Sequence, residues 1–236
     1  MAYWTLKLVL TPLLRLGFRV RVEGREHLPR RGPLILAANH RSFLDSIFLP
    51  LAIGRRRMTF VAKAEYFERR RTAWFFRAVG QIPIQRSGGR ASEAALDAAT
   101  DVLRHGGAFG IYPEGTRTRD GLTHRGHTGV ARLARATGVP IVPVGLIGTE
   151  ECQPTDAKLP RLFRPITVRF GEPIPPDRYV EDAEGLALRQ LTDEVMFEIV
   201  QLCGVYEYRD TYATKQAEDL PTPAARVAVL PTARVA

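Results

Sequence analysis

Hydrophobic and polar positions alternate along the chain with two different periods, which predicts strands interleaved with helices. Period-two stretches and short apolar runs favour strands; these cover residues 18–22, 33–38, 58–62, 81–84, 108–112, 141–147 and 166–170. Helical spacing covers residues 42–53, 72–79, 91–105, 128–137 and 184–202. This order predicts an α/β domain whose largely parallel sheet is flanked by helices. We expect Pro143 to break the strand in which it lies.

The first 17 residues have the pattern of an amphipathic helix. Lys7, Thr11 and Arg15 recur every four residues on one narrow face, leucines fill most of the remaining arc, and Trp4 stands near one end. Such a helix is typical of a segment that lies in a membrane surface. The alternative is a helix that faces the core and is interrupted at Pro12. No apolar run reaches the roughly 18 residues of a spanning helix, and no signal-peptide cleavage site is evident.

The pattern suggests three parts to the chain. Residues 1–17 form the N-terminal helix, residues 18–214 form the folded domain, and residues 215–236 form a tail. The tail holds two short near-copies of one Leu-Pro-Thr phrase with Ala, Arg and Val. Two copies are too few for a repeat fold, so a disordered tail is the simplest expectation.

Composition adds the expected compartment. A chain of 236 residues with 45% hydrophobic content can bury a sizeable core without covalent links. Its two cysteines, Cys152 and Cys203, have neither disulfide-scaffold nor metal-ligand spacing. A reducing compartment is therefore the default expectation.

The charge of the chain is distributed unevenly. Residues 1–90 hold 18 Lys and Arg against 5 Asp and Glu, whereas residues 91–236 hold 16 against 20, and the whole chain carries +9. A basic half suggests a nucleic acid, an anionic membrane face or a phosphorylated substrate as partner. An arginine-rich coding bias explains arginine in place of lysine, but it does not explain why acids are scarce in one half.

The string Asn39-His40-Arg41-Ser42-Phe43-Leu44-Asp45 directly follows a predicted buried strand. Ligands of open α/β sheets bind beyond the carboxyl ends of strands, so chemistry is expected here. Residues five apart lie about 140° apart on a helix, so His40 and Asp45 meet only if His40 lies in the loop and Asp45 on the first helical turn, with Ser42 as N-cap. Asp45 would then fix the imidazole tautomer. The same spacing also fits a capping box, a purely structural role.

Three further strings stand beside predicted strands. Tyr112-Pro113-Glu114-Gly115-Thr116-Arg117 joins a turn to a hydroxyl and to a guanidinium suited to phosphate. A second string, residues 80–86, delivers Arg86 to the end of a strand, and a third, residues 139–144, is apolar throughout. The apolar string is compatible with a core strand and with the lining of an apolar channel.

Together these four strings resemble the glycerolipid acyltransferases, most closely the 1-acyl-sn-glycerol-3-phosphate acyltransferases. The resemblance lies in an NHxxxxD block at residues 39–45, a GxIxxxR block at residues 80–86, a [FY]PEGTR block at residues 112–117 and a VPIVPV block at residues 139–144. Two departures are His127, where the family commonly has a lysine, and Thr118, where serine is usual.

The resemblance implies acyl transfer from an acyl-CoA or acyl carrier protein thioester to the sn-2 hydroxyl of lysophosphatidic acid, with no metal or cofactor. It makes His40 the general base and Asp45 its orienting partner. The acceptor phosphate would be bound by Arg86, Glu114, Gly115, Thr116 and Arg117, and the acyl or structural block would comprise Val139, Pro140 and Ile141. The expected location is the cytoplasmic face of the cell membrane, as a peripheral or monotopic protein bound to anionic lipid.

Two alternatives remain at this point. Within the same reaction class, the acceptor is glycerol 3-phosphate or another lysophospholipid. A basic membrane-binding protein without catalysis also fits the charge. A nucleic-acid-binding protein is not expected, because the sequence has no helix-turn-helix, zinc-finger or aromatic RNA-binding signature.

Overall fold

The computed structural model describes residues 2–68, 70–84, 91–154, 157, 159–179, 183–204 and 208–213. Its strands are β1 (Arg19–Glu23), β2 (Leu34–Ala38), β3 (Met58–Thr59), β4 (Val61–Lys63), β5 (Ile82–Ile84), β6 (Ala108–Ile111), β7 (Thr123–His124), β8 (Ile141–Ile147), β9 (Pro165–Phe170) and β10 (Tyr208–Arg209). Its α-helices are α1 (Ala2–Gly17), α2 (Asp45–Ala52), α3 (Glu65–Glu68), α4 (Arg70–Ala78), α5 (Ala91–Arg104), α6 (Gly129–Thr137), α7 (Thr149–Cys152) and α8 (Glu184–Cys203). The predicted tail lies outside the described residues.

A six-stranded sheet in the order β1-β9-β8-β2-β6-β3 forms the centre of the fold. The β8–β9 pairing is antiparallel and the other four are parallel. The predicted α/β class with a largely parallel sheet is therefore confirmed. Two short parallel pairs, β4–β5 and β7–β10, lie outside this sheet.

Helices cover both faces of the sheet, as the uniformly apolar sequence of β2 requires. Leu34, Leu36 and Ala38 pack into one core with residues of α2 and, at its edge, of α1. Ile35 and Ala37 face the other way, into a second core with residues of α5, α6 and α8. Every residue of β2 is buried, so the loop that follows it leaves from the middle of the molecule.

Two strand predictions differ from the structure. The predicted strand at residues 58–62 is divided into β3 and β4, which belong to different sheets. The strand at residues 141–147 is continuous, so the predicted break at Pro143 is wrong. The Pro143 carbonyl accepts a hydrogen bond at 2.9 Å from the Gly171 amide, just beyond the last β8–β9 residue pair, Val144 and Phe170. Since the N–H and C=O of one strand residue point to the same side, the missing N–H of Pro143 removes no bond to β2.

The helix α1 runs without interruption through Pro12, so the predicted alternative of a helix broken there is wrong. Lys7 faces the protein, where its Nζ donates to the carbonyl oxygens of Pro50 and Arg56 at 2.6 and 3.0 Å. The outward face is apolar, and its large exposed side chains are Trp4, Leu8, Val9, Leu13 and Leu16. None of the described helices is long and apolar enough to cross a membrane.

Candidate active site

Asn39 fixes the start of the loop that follows β2. Its fully buried side-chain amide donates to the Leu146 carbonyl at 2.8 Å and accepts from the Leu146 N–H at 2.7 Å. These two bonds tie the end of β2 to β8 just beyond the last backbone pair, Ala38 and Val144. The next residue, His40, therefore leaves the carboxyl end of β2 from a fixed point.

His40 and Asp45 meet as the spacing predicts. The His40 Nδ1 lies 2.9 Å from Asp45 Oδ2, with His40 in the loop and Asp45 on the first residue of α2. The same Oδ2 accepts the backbone N–H groups of Arg41 and Ser42, both at 2.8 Å. The orienting interpretation of this spacing therefore agrees with the geometry, whereas the predicted N-cap is wrong, because Leu44 and not Ser42 precedes the first helical residue and no side chain caps the helix. The helix begins three residues later than the predicted start at residue 42.

Thr149 completes the surroundings of the aspartate. Its Oγ1 donates to Asp45 Oδ1 at 2.5 Å, and neither residue is exposed. Asp45 thus accepts from three backbone or side-chain donors besides the histidine. A carboxylate that accepts from Nδ1 requires the proton on that nitrogen, which leaves Nε2 of His40 as the basic nitrogen.

Tyr112 determines the orientation of the imidazole plane. Its ring stacks on His40 with 3.9 Å between centroids and 10° between planes, and its hydroxyl lies 3.0 Å from Ser46 Oγ. Burial and the nearby negative charge of Asp45 raise the pKa of Tyr112 well above its ordinary value. The tyrosine is therefore a neutral wall of the site.

The contacts of Glu114 differ from those expected of a residue that binds a substrate phosphate. Its side chain is buried, and its Oε1 and Oε2 accept the backbone N–H groups of His40 at 3.0 Å and His124 at 2.9 Å. Burial raises the pKa of Glu114 to about 7, although both amides and the Arg41 charge oppose that rise. Glu114 thus connects the two motif loops, at residues 39–45 and 112–118, and its Oε1 holds the backbone N–H of His40.

The remainder of the same block lies around the loop that carries His40. Gly115 has φ 73°, a left-handed conformation that favours glycine. Thr116 and Arg117 line a cavity together with Arg119. The Thr118 N–H donates to the His40 carbonyl at 2.9 Å. Among the predicted phosphate ligands that the structure describes, Thr116 and Arg117 are thus the ones that line the cavity.

That cavity is mainly apolar and has a volume of about 300 Å³. His40 and Tyr112 lie on its wall, and α1, α2 and α4 supply most of its apolar lining, including Leu6, Leu10, Ile47, Leu51, Phe75 and Phe76. Its size is at the lower end of the range for ligand pockets. His40 therefore lies on the wall of an apolar space, and the cationic side chains of Arg117 and Arg119 line the same space.

Arg86 is outside the described residues, and the apolar block at residues 139–141 lies away from the cavity. Val139 and Ile141 are buried in the core on the α8 side, and neither they nor Pro140 line the cavity. The reason is topological, because these residues lead into the amino end of β8, whereas His40 follows the carboxyl end of the parallel strand β2. This block is structural, and the predicted acyl-lining role is not seen.

His127, the departure from the family pattern, lies against the C-terminal part of the described chain. Its ring stacks on Tyr212 with 4.4 Å between centroids. Burial and the charge of Arg189 lower the pKa of His127. His127 is therefore a neutral side chain at neutral pH, unlike the lysine that it replaces.

Sequence reasoning missed several residues at the site, among them Thr149, Arg41 and the cavity-lining Arg119. Thr149 follows β8 at its carboxyl end, so the strand-end rule could have identified it. Arg41 lies within the motif itself, and its guanidinium donates to Glu150 at 3.0 Å and to Thr123 at 3.3 Å. The described residues contain no group of three or more His, Cys, Asp or Glu side chains that could hold a metal ion.

The fold and the site define an α/β protein in which a histidine–aspartate pair opens on an apolar cavity beside cationic side chains. Sequence comparison makes this more specific: the model of the acyltransferase family matches residues 19–147, more than half of the chain. The chain therefore belongs to the acyltransferase family.

Several named proteins are similar to it. The chloroplastic 1-acyl-sn-glycerol-3-phosphate acyltransferase of Arabidopsis thaliana is 32% identical over 60% of this chain and 39% of its own length. The Bacillus subtilis 1-acyl-sn-glycerol-3-phosphate acyltransferase is 29% identical over 58% of this chain and 66% of its own. The crystal structure of the Thermotoga maritima 1-acyl-sn-glycerophosphate acyltransferase PlsC matches with a TM-score of 0.63 and 26% identity, over 84% of this chain and 77% of that one. The aligned part spans about two fifths of the Arabidopsis protein's length.

Proposed function

We propose that this protein transfers an acyl chain from a thioester of coenzyme A or acyl carrier protein to the sn-2 hydroxyl of lysophosphatidic acid, giving phosphatidic acid. The observation that carries the proposal is the 2.9 Å His40–Asp45 pair on the wall of an apolar cavity. The names of the similar proteins support this acceptor.

In the proposed reaction His40 acts as the general base. Its Nε2 takes the proton of the sn-2 hydroxyl while the oxygen attacks the thioester carbonyl carbon. The C–S bond then breaks, and the thiolate leaves with the proton that His40 carries. Asp45 stabilises the protonated ring between the two steps. A positioned base contributes about 10²–10⁴-fold to such a step.

The acceptor phosphate is proposed to bind at the polar side of the cavity. Arg117 presents a guanidinium that suits a phosphate monoester, and Thr116 and Arg119 lie on the same wall. From the family resemblance, Arg86 is expected to add a second arginine. Glu114 and Gly115 support this loop rather than contact the phosphate.

The acyl chain of the donor is proposed to occupy the apolar part of the cavity. The rings of Phe60, Phe75 and Phe76 and the side chains of α1 line this part. The thioester carbon then lies near His40. A thioester has a good leaving group, so no covalent enzyme intermediate is needed.

We also propose that α1 docks on the cytoplasmic face of an anionic membrane. Lys7 faces the protein, whereas Leu8 and Leu16 are 77% and 79% exposed. Exposed leucines on a helix that borders the cavity suit a lipid surface, from which a lysophospholipid is delivered.

The catalytic proposal is tested with purified protein in detergent and a panel of acceptors. The panel contains lysophosphatidic acid, glycerol 3-phosphate and lysophospholipids with larger head groups, each with acyl-CoA and acyl carrier protein donors. We expect turnover with lysophosphatidic acid, and a loss of at least about 100-fold in His40→Ala. His105→Ala, at an exposed histidine on the surface, is the matched control. Wild-type turnover in His40→Ala would contradict the mechanism.

The docking proposal is tested with vesicle co-sedimentation. Leu8→Gln combined with Leu16→Gln keeps the helix-forming character and the inward contacts of α1. We expect weaker binding to vesicles that contain phosphatidylglycerol. Unchanged binding would contradict a role for α1 at the membrane.

A further inference from the structure

The loop between α7 and β9 presents large apolar side chains to solvent. Leu159, Leu162 and Phe163 are 80%, 53% and 65% exposed. Single exposed apolar residues are ordinary on a protein surface, but three within five residues form a patch. None of these residues takes part in the site described above.

Phe163 has an unusual backbone conformation. Its φ is 62°, and it is the one non-glycine residue with positive φ in the described part of the chain. This conformation is unfavourable for a bulky side chain, and such strain often accompanies function. The Phe163 N–H donates to the Gly17 carbonyl at 2.7 Å, and the Arg161 N–H donates to the Cys152 carbonyl at 2.7 Å. The fold therefore holds the loop in place with the phenyl ring turned outward.

The loop adjoins the end of α1. Gly17, which accepts the Phe163 bond, is the last residue of that helix, and a Cβ at Gly17 would lie 3.7 Å from Leu162. The last turns of the helix expose Leu13 and Leu16. The apolar outer face of α1 thus continues onto the loop.

The charged side chains that the structure describes between residues 159 and 164, and at the adjoining end of α1, are positive. Arg161 and Arg164 are exposed within the loop, and Arg15 and Arg19 are exposed at the adjoining end of α1 and start of β1. Residues 157–170 contain no Asp or Glu. Arginines that surround exposed apolar side chains fit a surface with phosphate groups above hydrocarbon.

We infer that the segment Leu159–Arg164, called here the docking loop, inserts into the surface of an anionic phospholipid bilayer as a second membrane element beside α1. This goes beyond the proposed function, which places the helix alone at the membrane. Leu162 and Phe163 enter the boundary between head groups and acyl chains, and Arg161 and Arg164 contact lipid phosphates. Two elements at the surface fix the rotation of the protein about the helix axis.

The sharpest variant is Phe163→Gly. Glycine tolerates the left-handed conformation, so the thermal stability should be equal to or higher than that of the wild type. Binding to vesicles with phosphatidylglycerol should fall by about tenfold, because a large apolar side chain no longer enters the bilayer. A merely structural role predicts a lowered stability with unchanged binding. Unchanged binding to the vesicles, at any stability, would overturn the inference.

A second measurement locates the loop directly. Cys152 and Cys203 are buried, so an environment-sensitive fluorophore can be attached selectively to Phe163→Cys. Its emission should move to shorter wavelength when anionic vesicles are added. The same label on Leu186→Cys, exposed on α8 at the opposite face of the sheet, should not respond. Equal responses at both positions, or none at position 163, would overturn the inference.

The α1 variants and acyl transfer in detergent separate this inference from the proposals above. Vesicle binding that depends on Leu8 and Leu16 but not on the loop would overturn the docking loop alone. Loss of acyl transfer in detergent would concern His40 and the cavity, not the loop. In detergent, Phe163→Gly should keep wild-type turnover.

Discussion

Glu114→Gln should change how the stability of the protein depends on pH. The pKa of Glu114 is raised from its ordinary value of 4.5 to about 7 by burial. Between these two values the folded protein holds a proton that the unfolded chain has released. The free energy of unfolding therefore falls as the pH rises from 4.5 to 7, and this contribution is fully lost above pH 7.

The size of this effect follows from the two pKa values. They differ by about 2.5, which at 1.36 kcal/mol for each pKa unit is roughly 3 kcal/mol. Glutamine has the same shape and no charge, but its NH₂ group faces one of the two backbone N–H donors. The variant thus loses one hydrogen bond, at a cost of about 1–3 kcal/mol. Relative to the wild type, Glu114→Gln should be least stable at low pH, by about 1–3 kcal/mol, and its relative stability should rise by roughly 3 kcal/mol towards pH 7, which removes or reverses the deficit.

Urea unfolding of both proteins at a series of pH values from 4.5 to 8 measures this difference. Subtracting one curve from the other removes the contributions of groups that the two proteins share. Glu93→Gln, at an exposed glutamate of α5, is the matched control and should give a difference that is nearly constant with pH. A constant difference for Glu114→Gln as well would refute the reasoning from burial.

Three other substitutions test the packing around the site. Thr149→Val should lower kcat by about tenfold with little change in KM, because Asp45 loses the Thr149 Oγ1 donor. Thr149→Ser keeps a hydroxyl and should restore kcat. An equal loss of kcat in both variants would contradict a positioning role. Gly110→Ala should lower the free energy of unfolding by about 1–3 kcal/mol, since a Cβ there would overlap Phe60 and Met58, as urea unfolding would show. Leu10→Trp fills the cavity from α1 and should change the preference towards shorter acyl donors by about tenfold in a competition assay; an unchanged preference would place the acyl chain elsewhere.

The parts of the site that the sequence predicts are those determined by local geometry. His40 and Asp45 are five residues apart, and the start of one helix is enough to bring them together. Most strands and helices are likewise predictable within a few residues, because each has its own apolar period. The effect of Pro143 is not predictable from its own segment, because the consequence of a missing N–H depends on where the neighbouring strand ends, which is a property of the sheet.

The contacts that Thr149 and Glu114 make are long-range, so local geometry does not predict them. Thr149 reaches Asp45 across 104 positions of sequence, and Glu114 reaches the His40 backbone across 74. Motif identity alone presents Glu114 as one more ligand of the phosphate. Only the packed structure shows that both of its oxygens are already occupied by amides.

The two motif loops together immobilise His40. Its backbone N–H is held by Glu114, its carbonyl by the Thr118 N–H and its Nδ1 by Asp45. The stacked ring of Tyr112 restrains the remaining rotation of the imidazole. Every polar atom of the residue except Nε2 thus has a fixed partner, so the proposed base needs no reorganisation before it takes a proton. This explains why the block that places Arg117 on the cavity wall also contains Glu114, which is buried and does not line the cavity.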